Sequence, residues 1–142
     1  IVGDGPERTP LEALVAERGL TERVIFTGRI DNRQLPAWLA QADVWVSGAR
    51  SDGLPLSMLE AMSAGLKVVL AELPMARDWH VDGVSWTFPV GSAAACARAL
   101  DQALAAPLMA GHPGRVVVVE RGSLAATVSG IEAVVERVMA GV

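Results

Sequence analysis

The chain has 142 residues, enough for one domain with a real core, since a domain of that size buries about two-thirds of the surface its unfolded chain exposes. Its 12 basic and 16 acidic residues give a net charge of −4 and a pI near 5.1, with no run of Lys or Arg, which disfavours a nucleic-acid partner. Although 51% of the residues are apolar, every apolar run is far shorter than the ~18 residues a membrane span needs. The single cysteine, Cys96, lies among alanines in a helical pattern and reads as a small buried thiol rather than a redox or zinc centre.

The amino terminus, IVGDGP, has neither a basic leader nor a cleavage site and begins as though inside a strand, which predicts that further chain precedes Ile1. Ile1-Val2 is read as a strand ending in the turn Gly3 to Pro6; Leu11, Leu14, Val15 and Arg18 then recur at helical spacing until Gly19 closes the helix. Val24 to Phe26 is a second short strand, Asn32 caps a helix carrying Leu35, Trp38, Leu39 and Ala42, and Asp43 to Ser47 is a third strand. Pro55 at a first helical position and Gly65 past the last turn frame the next helix, followed by a strand at Val68 to Leu70. Val84 to Phe88 supplies one more strand and Ser92 caps a helix from Ala93 to Ala105. In the tail, Val116 to Val119 has strand propensity, whereas Ser123 opens a helix through Leu124, Val128, Ile131, Val135 and Val138. Strands alternating with helices imply a parallel sheet covered on both faces, and no repeat or linker divides residues 1–142, which are read as a single domain.

Ligands of an open parallel sheet bind at the carboxyl ends of its strands, where the loops at residues 3–6, 27–31 and 48–54 must lie. Gly3-Asp4-Gly5 invites a dinucleotide reading, but that fingerprint needs a third glycine where this chain has Arg8; a tight turn permitting close packing is the simpler account. The stretch SDGLPLSMLEAMSAG, residues 51–65, is more informative. Its helix starts with free backbone amides and a partial positive charge that favour a phosphate, Gly53 offers no side chain to obstruct one, and Pro55 has no amide to waste. Glu60 lies about 7.5 Å further along the axis, an offset that suits a ribose hydroxyl pair beside a phosphate. On the helical wheel Leu59 and Met62 share a face with Pro55, and Glu60 falls beyond its edge beside Ser57 and Ala64. A solvated helix face for Glu60 and turn chemistry for Asp52 account for the same pattern, so periodicity alone leaves their role open. His80, flanked by Asp78 and Asp82, reads as a solvated loop and His112 as exposed; no metal ligand set is predicted.

Five segments, in order, carry a family resemblance: Ile1 to Glu7 (IVGDGPE), Val24 to Gly28 (VIFTG), Leu35 to Val46 (LPAWLAQADVWV), Gly53 to Gly65 (GLPLSMLEAMSAG) and Leu73 to Gly83 (LPMARDWHVDG). With them, residues 1 to about 142 resemble the C-terminal, nucleotide-sugar-binding domain of retaining glycosyltransferases with the GT-B fold, family 4 in particular. The resemblance implies a Rossmann-like parallel sheet with helices on both faces, lacking its first strand-helix unit. The family carries two glutamates separated by seven residues; Glu60 falls on the second and Asp52, one methylene shorter, on the first. By resemblance, Glu60 binds the nucleotide ribose and Asp52 contacts the transferred sugar, which makes these two the candidate catalytic residues. The backbone of Gly53, Leu54 and Pro55 is implied near the diphosphate and donor sugar, and the loop of Gly28 and Arg29 near the nucleobase. Gly3 and Gly5, in the loop after the first strand, complete the substrate-binding candidates. The resemblance also makes residues 109–121 a helix, against the strand propensity at Val116 to Val119. Departures are Gly48-Ala49 where Pro-Ser is frequent, Lys67 where Pro is frequent, and Ser85-Trp86 where Asn-Gly is frequent.

The implied activity is transfer of a glycosyl group from a nucleotide-diphosphate sugar to an acceptor with retention, this chain supplying the donor-binding half. The nucleotide sugar is a substrate, and no cofactor or metal is expected. The family's basic residues for the diphosphate and its acceptor-binding domain would precede Ile1, so the chain alone is expected to be inactive and to self-associate through apolar surface. A cytoplasmic location is expected, at the inner face of a membrane through the absent domain. The shortened acid at Asp52 and the absent upstream half motivate an alternative: a non-catalytic nucleotide-binding or scaffolding module that keeps the fold. A dehydrogenase-type cofactor domain is disfavoured by Arg8.

Overall fold

The computed structural model describes residues 1–53 and 55–140, which fall in two compact units, Ile1–Trp38 and Leu39 onward. In the first unit, α1 (Arg8–Glu17) ends where expected: Gly19, at φ +65°, donates its N–H to the Ala16 carbonyl at 3.0 Å. None of its residues is buried, and Gly28 is the one buried residue of the unit.

Neither of the strands expected at Ile1-Val2 and Val24 to Phe26 forms. Their pairing shrinks to bridges from Val2 and Gly3 to Gly28, with the Gly3 N–H donating to the Gly28 carbonyl at 2.8 Å and the Thr27 N–H to the Ile1 carbonyl at 3.0 Å. Gly3 at φ +117° and Gly28 at φ +68° both leave the extended region, so the ladder is interrupted where it begins. The expected cap at Asn32 is also displaced: the Asp31 carboxylate accepts from the Arg33 N–H at 2.7 Å, an Asx turn, and α2 (Leu35–Leu39) starts two residues beyond it.

The second unit holds a parallel sheet in the order β1 (Val44–Ser47), β2 (Lys67–Ala71), β3 (Ser85–Phe88). Val44 lies opposite Lys67, and Val68 opposite Ser85. Every residue of β2 is buried because alternate side chains meet different layers. Val68 and Leu70 join Met58, Leu59, Ala61 and Met62 of α3 (Leu56–Ser63) and Met75 and Ala76 of α4 (Pro74–Asp78). Val69 and Ala71 join Phe88 and the alanines Ala99 and Ala103 of α5 (Ala93–Ala105) on the opposite face. The short strand KVVLA is thus apolar almost throughout, as a strand covered on both sides requires.

Its one charged residue has a specific partner. Lys67 is 8% exposed, and its ammonium donates to the carbonyl of Ala103 at 2.7 Å and to that of Ala106, the C-cap residue of α5. A cation at the negative end of a helix satisfies carbonyls that the helix itself leaves unpaired. The departure from proline at this position therefore replaces a backbone restraint with a cap on a helix 36 residues away.

The tail is helical: α6 (Pro113–Gly122) and α7 (Leu124–Met139) follow α5. The four valines at 116–119 lie inside α6, as the resemblance implied and their β propensity did not. Pro113 starts the helix, and Gly114 is buried against α3, where an added Cβ would lie 3.0 Å from Val84 Cγ1 and 3.5 Å from Met62 Cβ. Arg121 near the end of α6 donates to the Asp78 carbonyl and stands 4.9 Å over the Trp79 ring, which ties α6 to the end of α4. The expected serine caps both form: Ser92 Oγ accepts from the Ala95 N–H at 3.3 Å and Ser123 Oγ from the Ala126 N–H at 3.2 Å.

Candidate functional site

The chain leaving β1 runs through the loop at residues 48–55 into α3, so Asp52 sits at the carboxyl edge of the sheet. There it borders a recess of about 10 Å3 together with Trp45, Ser47, Pro55, Leu73 and Met75. Trp45 and Ser47 reach it from alternate positions of one strand, while Leu73 and Met75 come from the junction of β2 and α4. Among the described wall residues, those with polar side-chain groups are Asp52, Trp45 with its indole N–H, and Ser47, whose hydroxyl accepts from the Ala49 N–H at 3.4 Å. Gly53 is open to solvent, with nothing within 4 Å of a Cβ built on it. Leu54, expected to offer its backbone here, lies outside the described residues.

Pro55 is the N-cap of α3 rather than its first helical residue, with φ −71° and ψ 101°; its carbonyl accepts from the Met58 N–H at 2.9 Å. The helix begins one residue late because a proline cap keeps extended ψ while its ring meets no preceding turn. No side chain among the described residues caps α3, which leaves its positive end available to an external anion.

Glu60 lies on the exposed face of this helix, opposite the buried Met58, Leu59, Ala61 and Met62, and is not a wall of the Asp52 recess. The structure therefore joins Asp52 and Pro55 at one recess and sets Glu60 on the solvent face of the same helix. Gly3 and Gly28 are joined by their bridge in the first unit, where Gly5 donates its N–H to Asp4 Oδ1 at 2.9 Å and Arg29 is exposed. Arg8 explains the absence of a dinucleotide loop physically. It pairs with Glu12 at 2.8 Å and Asp4 at 3.8 Å, and a Cβ on Gly28 would meet its Nη1 at 3.1 Å.

One other constellation has suggestive chemistry. His80 Nδ1 is 3.1 Å from Ser85 Oγ and its Nε2 is 3.0 Å from Asp82 Oδ1. Ser85 is buried, however, and its hydroxyl donates to the Val81 carbonyl at 3.0 Å while accepting from the Val81 N–H at 2.8 Å. These bonds commit the serine to closing the turn before β3, so the trio is a structural clasp and not a nucleophile with its base. Among the described residues no group of three or more His, Cys, Asp or Glu is placed to hold a metal ion.

Sequence reasoning missed the recess walls Trp45, Ser47, Leu73 and Met75. A signal for them existed: positions 45 and 47 share a face of β1, and residues 73–75 follow the carboxyl end of the neighbouring strand.

Residues 1–115 match the family described as glycosyl transferases group 1. The chain belongs to this family. This group 1 glycosyltransferase chain is 46% identical over 68 residues to the 2-deoxystreptamine glucosyltransferase of Streptomyces kanamyceticus, a match covering 48% of the chain and 18% of that protein. It is 36% identical over 106 residues to the phosphatidyl-myo-inositol mannosyltransferase of Propionibacterium freudenreichii subsp. shermanii, covering 68% of the chain and 27% of that protein. The match thus spans about a quarter or less of the length of these curated relatives. Its structure superposes on sucrose-phosphate synthase from Thermosynechococcus elongatus with a TM-score of 0.82 and 25% identity, over 99% of the chain and 38% of that structure. The α/β arrangement is accordingly that of the GT-B glycosyltransferases, as the resemblance implied. No helix among the described residues is long and apolar enough to cross a membrane.

Proposed function

We propose that this chain is the donor-binding half of a retaining, family 4 glycosyltransferase, which takes a glycosyl group from a nucleotide-diphosphate sugar. The observation that carries the reading is the placement of Asp52 and Pro55 on one recess at the carboxyl edge of the sheet, beside the uncapped start of α3. The relatives named as glucosyl- and mannosyltransferases support an enzymatic role over a scaffolding one.

In this reading the diphosphate lies at the start of α3, near Gly53 and Pro55. As the glycosidic bond loosens, negative charge gathers on the departing diphosphate. Fixed amides and the helix dipole stabilise that charge more in the transition state than in the ground state. Asp52 contacts the transferred sugar from the recess. Glu60, solvent-facing and about 7.5 Å along the axis from Pro55, accepts hydrogen bonds from the ribose hydroxyls. No cofactor or metal takes part in this scheme, and the acceptor is bound by a separate domain.

Calorimetric titration with UDP, GDP and their common sugar conjugates tests the proposal. The parent chain is expected to bind one of the two nucleotides and Glu60→Ala to lose that binding. Equal binding by Glu60→Ala would refute the assignment of Glu60.

A further inference from the structure

We propose that Met75 is a specificity-determining residue, closing the recess beside Asp52 so that a donor sugar can place only one small substituent there. The inference deepens the donor-site reading above and rests on it. The recess is half-open, and its volume of about 10 Å3 is that of a single water-sized group. Its floor is made by the strand ends Leu70 and Ala71, 4% and 2% exposed, which cannot retract without opening the core between sheet and helices. Trp45 forms another wall and is itself packed against that core. Leu73 and Met75 form the side of the recess contributed by the junction of β2 and α4.

Met75 is suited to act as the limiting wall. Pro74 starts α4 directly after the extended Leu73, which holds the helix start at the mouth of the recess. Arg121 holds the other end of the same helix through the Asp78 carbonyl, so α4 cannot swing away. The thioether of Met75 is 8% exposed and joins the same cluster as Leu70 and Met58. Met75 is apolar and shares the recess with Asp52, Ser47 and Trp45. A methyl or hydroxyl group on the sugar fits this space and this chemistry. An acetamido group is too large, and a carboxylate would meet the like charge of Asp52.

The experiment titrates the parent chain, Met75→Ala and Leu73→Ala with a bare nucleotide and with two donors differing in substituent size. The donors are UDP-glucose and UDP-N-acetylglucosamine or, if GDP is the nucleotide bound, GDP-6-deoxymannose and GDP-mannose. The parent is expected to favour the smaller donor by about tenfold. Both truncations should bring the ratio towards one while binding of the bare nucleotide persists. Met75→Val, a smaller truncation at the same buried position, decides the matter should Met75→Ala fail to fold. A ratio unchanged in the folded variants, with the nucleotide still bound, would overturn the role of Met75 alone. Failure of the parent to bind either nucleotide would overturn the donor-site reading and this inference with it.

Discussion

Asp52 and Glu60 are separated by seven residues, yet they meet different surroundings, and their substitutions should separate accordingly. Asp52, itself exposed, borders the recess at the carboxyl edge of the sheet, so Asp52→Asn in an enzyme carrying both halves is expected to lower the rate of transfer by roughly a hundredfold while nucleotide affinity changes little. Steady-state kinetics with the natural acceptor would show it, and an unaltered rate would remove Asp52 from the chemistry. Stability at single residues is governed elsewhere. Lys67→Ala strips the carbonyls of Ala103 and Ala106 of a charged donor in a buried setting and should cost about 1–3 kcal/mol in urea denaturation. Gly65 stands at φ +87°, and a Cβ there would come within 2.7 Å of His112 Nδ1. Gly65→Ala should therefore lower the free energy of unfolding through backbone strain and steric overlap together, by about 2 kcal/mol or more in urea denaturation. His112 is the one non-glycine among the described residues at positive φ, +47°, and is hemmed in by its own strained backbone.

At the scale of elements, the contact of α6 with α3 depends on Gly114. Gly114→Ala would press a methyl against Val84 and Met62 at 3.0 and 3.5 Å and is expected to destabilise the chain by about 1–3 kcal/mol, despite the better helix propensity of alanine. Calorimetric unfolding would detect it, and a stabilised variant would mean that α6 is free to shift. The elements that were legible in the sequence are those whose local signals agree with their tertiary setting. Ser92 and Ser123 do cap helices, Gly19 and Gly65 do terminate them, and Val68 to Leu70 is a strand because both its faces are covered. Val24 to Phe26 has the composition of a strand but lacks a continuous ladder, since its partner ends at Gly3 and its own segment at Gly28, both at positive φ. The valines of α6 were misread from composition because β propensity reports a half-buried pleated surface, whereas here a proline start and a buried glycine select a helix against α3. The acidic pair and the uncapped helix start were visible as a pattern. The recess was not, because its walls come from segments about 30 residues apart that only the parallel register of β1 and β2 brings together.

Across the whole molecule, burial is uneven. The second unit contains both core clusters, while the first buries Gly28 alone. Amide hydrogen exchange is therefore expected to be fast throughout residues 1–38 and slowest in β2, and comparable protection of α1 and β2 would contradict this. The outer surface of α7 is also apolar. Leu124, Val128, Ile131, Val135 and Val138 follow one another at spacings of four and three, and range from 44% to 80% exposed. The isolated chain should consequently self-associate in sedimentation experiments, and Ile131→Glu with Val135→Glu should restore a monomer.

The ammonium of Lys67 also controls alignment. A slip of β2 by one residue would turn Val68 and Leu70 to the layer occupied by Ala99 and Ala103, and would at the same time draw the lysine out of the end of α5. The penalty of misalignment then combines mismatched packing in two covered layers with a charge left without acceptors. Lys67 is in this sense a register pin: it makes the central strand's alternatives expensive, so that the loop bearing Asp52 is delivered to the same place each time the chain folds.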